Sequence, residues 1–62
     1  MPFEPAVGGA VAFLIESQRR VILHCERLLP ANDLSPADRA RLVRLRNAAE
    51  AELARLTYAE AA

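Results

Sequence analysis

Lysine is absent from this chain of 62 residues, and histidine and cysteine each occur once, as His24 and Cys25. A single cysteine excludes an intrachain disulfide framework. A structural zinc site within one chain would need carboxylates to complete the ligand set around His24 and Cys25, an uncommon arrangement, so no metal and no other cofactor is expected. Chains this short seldom bury enough apolar surface to be stable without a disulfide, a metal or oligomerisation. Oligomerisation is the support that remains.

An excess of charge of either sign is also lacking. Eight basic and eight acidic residues give a formal net charge of zero, which removes the simplest electrostatic argument for binding nucleic acid or an anionic membrane. No stretch reaches the ~20 apolar residues that a spanning helix requires. The apolar window at 6–15 has the length of an export-signal core, but it follows Glu4 in place of a basic region. The expectation is a cytoplasmic protein without membrane contact. With no lysine, every basic side chain is arginine. A GC-rich coding bias towards Arg and Ala accounts for this, and a use of the planar guanidinium in bidentate contacts is the functional alternative.

What the chain does contain is a long helical stripe. Val7, Val11, Leu14, Gln18, Val21, Cys25 and Leu28 recur at alternating steps of four and three, a heptad seam, and Ile15, Ile22 and Leu29 form a second line one residue behind it. So wide a stripe calls for more than one partner helix. Pro2 and Pro5 keep the start of the chain out of regular helix, Gly8 and Gly9 weaken helix by about 1 kcal/mol each, and the firm start is expected nearer Ala10. Phe3 is free to fold back over the end of the core. Glu16 precedes Arg19 and Arg20 in an orientation suited to pairing, and Pro30 ends the helix.

A second helix begins at a strong local signal. Ser35 is placed as N-cap, Pro36 fills the first helical position, and Asp38 stands where a capping-box carboxylate reaches back. The helix is expected to run to about Tyr58, with the last four residues frayed. The domain reading is therefore one helical hairpin over 1–62, with helices at about 7–29 and 36–58 joined by a turn at 30–35. At ~1.5 Å per residue the helices have similar lengths, about 30 and 35 Å, so they pack antiparallel along their whole extent. The second helix presents Leu42, Leu45, Ala49, Leu53 and Leu56 as its core face, and Ala48, Ala49 and Ala51 allow the helices to approach closely. One rich and one lean helix leave part of the rich stripe uncovered. The predicted architecture is all-α: an antiparallel hairpin dimerising into a four-helix bundle, with Val11, Leu14, Ile15, Gln18, Val21, Ile22, Cys25, Leu28 and Leu29 as the core and dimer interface.

Within that interface, Gln18 either bonds its two-fold copy and sets register, or turns its amide to the rim. Cys25 reads as a small buried hydrophobe and His24 as a residue at the bundle edge. No spacing unites His24 with a nucleophile or a carboxylate pair, so neither catalytic residues nor enzymatic activity is expected. Phe13 and Leu23 lie away from the seam among Glu16, Arg20 and Arg27, and Val43, Asn47, Ala54 and Tyr58 share a face of the second helix. Apolar residues interleaved with arginine suit a protein-binding surface.

In the second helix Arg39, Arg41, Arg44 and Arg46 come early, and Glu50, Glu52 and Glu60 come late with Arg55 among them. This order opposes the helix dipole. In an antiparallel dimer the basic half of one chain can lie against the acidic half of the other; the alternatives are an acidic protein partner or a phosphate backbone. Arg41, Arg44 and Arg55 fall on one side of the wheel and Arg39 and Arg46 on the other.

In layout the chain resembles the Rop-type proteins, short helical hairpins that dimerise into a four-helix bundle and bind paired RNA loops, with Phe13, Ser17 and Gln18 in a suggestive local arrangement. The resemblance implies RNA binding through a basic first-helix face, where Phe13, Arg20 and Arg27 stand but Glu16 and Glu26 intervene. The functional expectation is a homodimeric, non-enzymatic module that regulates or scaffolds another protein. Its partner-binding candidates are Phe13, Arg20, Leu23, Arg27, Arg39, Arg41, Arg44 and Arg46. The alternatives are a nucleic-acid-binding dimer, and a small subunit whose stripe is covered by a larger protein.

Overall fold

A computed structural model describes residues 7–61, with side chains for residues 9–59. Two helices pack against each other as an antiparallel hairpin: α1 (Val7–Leu28) and α2 (Pro36–Ala61). The expectations for Pro2, Phe3 and Pro5, and for the side chains of Val7 and Glu60, lie outside the described residues. Helix α1 starts at Val7, ahead of the expected firm start near Ala10, and α2 continues to Ala61 past the expected fraying after Tyr58. Alanine has the highest intrinsic helix propensity, and the alanine-rich end of α2 carries the helix on.

Polar contacts close the turn. Pro30 cannot supply an N–H, so α1 finishes with Leu29 N–H donating to the Cys25 carbonyl at 2.9 Å and Ala31 N–H to the Leu28 carbonyl at 3.1 Å. Ser35 Oγ accepts the Asp38 N–H at 3.0 Å, the N-cap bond that a serine before Pro36 is placed to make. The reciprocal half of the expected capping box is replaced: the Asp38 carboxylate lies 3.7 Å from the Arg41 guanidinium. Arg39, one turn into α2, donates to the carbonyls of Leu29 at 2.6 Å and Ala31 at 2.9 Å. These carbonyls lie at the negative end of α1, where a cation is favoured.

The helix contact is centred on a different line from the expected seam. Cys25 is fully enclosed, and Ile15, Ala49 and Leu56 are the other buried apolar residues among those described. Val11, Gln18, Ile22 and Leu29 are half-buried, as are Leu42 and Leu53. The line that faces α2 is thus Val11, Ile15, Gln18, Ile22, Cys25 and Leu29, with its large side chains drawn from the expected second line. Leu14 and Leu28, expected on the seam, are exposed at 44% and 38%, and Leu45, expected on the core face of α2, at 47%. A single neighbouring helix covers an arc narrower than the whole stripe, so one edge of it remains in water. Of the alanines expected to permit close approach, Ala49 is buried at the contact while Ala48 and Ala51 are exposed.

The result is a slab of 48 × 28 × 14 Å, about one helix thick. Its radius of gyration is 15.0 Å, against about 10–11 Å for a compact globule of this length. Both broad sides of the slab therefore face solvent.

Candidate interaction interface

Side chains along a helix advance by about 100° per residue, so the residues flanking each contact line divide between the two broad sides. One side is identified by a cleft of about 240 Å³ lined by Ala12, Ile15, Glu16 and Arg19 of α1 and Thr57 of α2. Arg39 and Arg46 flank the contact line of α2 on this same side. Two of the polar groups here are engaged within the hairpin. Thr57 Oγ1 donates to the Leu53 carbonyl at 2.7 Å, and Arg39 holds the turn. Arg46 is half-buried, with Nη2 at 3.5 Å from Asn47 Oδ1 and its Nε enclosed without a hydrogen-bond partner among the described residues. The cleft is smaller than the roughly 300–1,000 Å³ of most small-molecule sites.

The opposite broad side carries Leu14, Val21 and Leu28, one heptad apart along the flank of α1, and Leu45 on the adjoining flank of α2. Val21 is half-buried and the three leucines are exposed. Leu45 lies in a row of its own, Asp38, Arg41, Leu45, Ala48, Glu52 and Arg55, spaced by alternating steps of three and four. Two ion pairs lie in this row, Arg41 with Asp38 and Arg55 with Glu52. The second is bidentate, with Arg55 Nε donating to Glu52 Oε1 at 3.1 Å and Nη2 to Oε2. The hydrogen bond from Arg55 holds the Glu52 carboxyl below the usual carboxylate range, and the same contact raises Arg55.

The outer edges of the slab carry the remaining candidates. Phe13 at 69% and Leu23 at 57% are exposed with Arg20 and Arg27 on the edge of α1 that faces away from α2. His24 is exposed as well. Tyr58, exposed at 73%, lies on the outward edge of α2, so the two expected aromatic faces stand back to back. The arginines of α2 do not converge: Arg39 is spent on the turn, Arg41 lies beside the apolar side, Arg44 points outward and Arg46 lies along the polar side. Glu16 forms no ion pair with Arg19 or Arg20 among the described residues, where both ion pairs belong to α2.

Asp38, Glu52 and Arg55 are absent from the expected site although they share a row with Leu45, and their spacing was available as a signal. The role of Arg39 had no such signal, because it depends on how the chain turns after Pro30. Among the described residues, no group of three or more His, Cys, Asp or Glu side chains is placed to hold a metal ion, and no helix is long and apolar enough to cross a membrane. Compared with models of known protein families, with curated proteins and with solved structures, the chain matches none.

Proposed function

We propose that this chain is a non-enzymatic protein–protein interaction module whose working form is a homodimeric four-helix bundle, two hairpins packed through the broad side that carries Leu14, Val21, Leu28 and Leu45. The observation that carries this reading is the exposure of Leu14, Leu28 and Leu45 on one side of a slab whose described interior holds only Ile15, Cys25, Ala49 and Leu56 as buried apolar residues. Fully burying a leucine contributes about 1.5–3 kcal/mol, and each of these three, still a little under half exposed, has roughly half of that left to gain. A second copy brings the same leucines to the contact and turns two thin slabs into one core. The outer edge of α1, with Phe13, Arg20, Leu23 and Arg27, stays free in such a bundle and is the surface offered to a partner protein.

Light scattering after size exclusion, with helicity followed on dilution, tests this reading. A helical dimer that loses helix only as it dissociates is the expected result. A helical monomer at all concentrations overturns it. An ill-defined aggregate also overturns it, and would assign the leucine side to a different protein.

A further inference from the structure

The row Asp38, Arg41, Leu45, Ala48, Glu52 and Arg55 on α2 reads acid, base, apolar, small, acid, base. Laid antiparallel on a copy of itself about a point between Leu45 and Ala48, every member meets its complement. Asp38 falls opposite Arg55, Arg41 opposite Glu52, and Leu45 opposite Ala48. The row on α1 has the same property in apolar form: about Val21, Leu14 falls opposite Leu28. These two centres lie near one height on the slab. Arg39 stands beside Leu29 and Ala31 at the turn, and Thr57 shares a cleft with Ile15 near the other end, so Val21 lies beside the middle of α2. One two-fold axis crossing the broad side can therefore serve both rows.

From this we infer that the two hairpins stack like helix on like helix, α1 on α1 and α2 on α2, both antiparallel, with the turns at opposite ends, so that Arg41 of each copy meets Glu52 of the other and Asp38 meets Arg55. The inference rests on the dimer reading above and adds its register. The other two-fold arrangement, with the axis along the bundle, lays α1 of one copy over α2 of the other. That places Asp38, Arg41, Glu52 and Arg55 against the row of Leu14, Val21 and Leu28. Charges would lose water there with no counter-charge gained across the interface. Stacking like on like instead sets leucine against leucine and closes each intrahelical pair into a ring of four alternating charges, Asp38 and Arg41 of one copy with Glu52 and Arg55 of the other.

A charge swap tests the register. Arg41→Glu and Glu52→Arg each put two like-charge contacts into a homodimer, and each should weaken self-association by about tenfold or more in sedimentation equilibrium. In an equimolar mixture of the two variants, each chain carries the charges that complement the other. Every contact between positions 41 and 52 across that heterodimer is again opposite in sign, so it should form with nearly wild-type affinity. The double variant Arg41→Glu/Glu52→Arg should regain homodimerisation in a single chain, which separates lost pairing from lost folding. Single variants that dimerise like the wild type, or a mixture that associates no better than its parts, overturn the register and leave the dimer standing. A wild-type chain that is monomeric throughout overturns both.

Discussion

The two broad sides of the slab use the same helices to opposite ends. On the side of Arg39, Arg46 and Thr57, long and polar side chains are turned to the needs of the hairpin: a guanidinium on the last carbonyls of α1, a hydroxyl on a backbone carbonyl of its own helix, an arginine laid over the flank. On the side of Leu14, Val21, Leu28 and Leu45, leucines meet water beside ion pairs that are themselves exposed. Of the two broad sides, this is the one that exposes large apolar side chains. In this two-helix chain the heptad stripe is divided: one edge closes the hairpin, and the other stays exposed and is the edge that the proposed dimer would cover.

The strongest way to break this contrast is to remove the contact both sides share. Leu56→Ala empties a buried position between the helices and should cost about 2–5 kcal/mol, a loss that leaves much of the chain unfolded and reads directly as lost helicity in circular dichroism. Next comes a matched pair across the slab. Leu45→Glu should raise the dimer dissociation constant by about a hundredfold, since each copy would place an unpaired carboxylate in the interface. Thr57→Glu, on the opposite side, should leave that constant within about twofold, as surface substitutions away from a contact usually do. Equal effects from the two would erase the distinction between the sides.

A smaller effect is expected at the turn. Arg39→Ala removes both guanidinium bonds to the end of α1 and should lower stability by about 1 kcal/mol, a few degrees in thermal midpoint, without changing the oligomeric state at saturating concentration. The smallest effect belongs to Glu52. Its pKa in the folded chain is lowered, first by the Arg55 hydrogen bond, so its contribution is fully present above the ordinary glutamate pKa and is lost as pH falls through the lowered value. In the separated hairpin, where the pair is exposed, the wild type and Glu52→Gln should differ only slightly at neutral pH and converge at acid pH, measured by urea unfolding at a concentration too low for dimers.

The ends of the helices around the turn were legible in the sequence because their causes are local. Pro30 withholds a donor, Ser35 offers an oxygen to the first turn, and Pro36 is pre-shaped for the position it fills. The apolar stripe of α1 was legible as a set of residues but not as a partition. Leu14 and Ile15 are neighbours of similar apolarity, and nothing in their types says that Ile15 turns to α2 while Leu14 remains exposed. The periodicity that puts Ala49 on the core face puts Leu45 there too, and it is the small alanine that is buried.

Two helices, the turn between them and an apolar stripe too wide for one partner follow from the order of residues alone, since propensity, capping and heptad spacing act over a few positions. Which edge of that stripe closes the hairpin, that Arg39 reaches back to α1, and that the row of Leu45 stands on the open side emerge only in three dimensions. Those outcomes depend on the rotation of each helix about its own axis, which is set by packing both helices against each other at once.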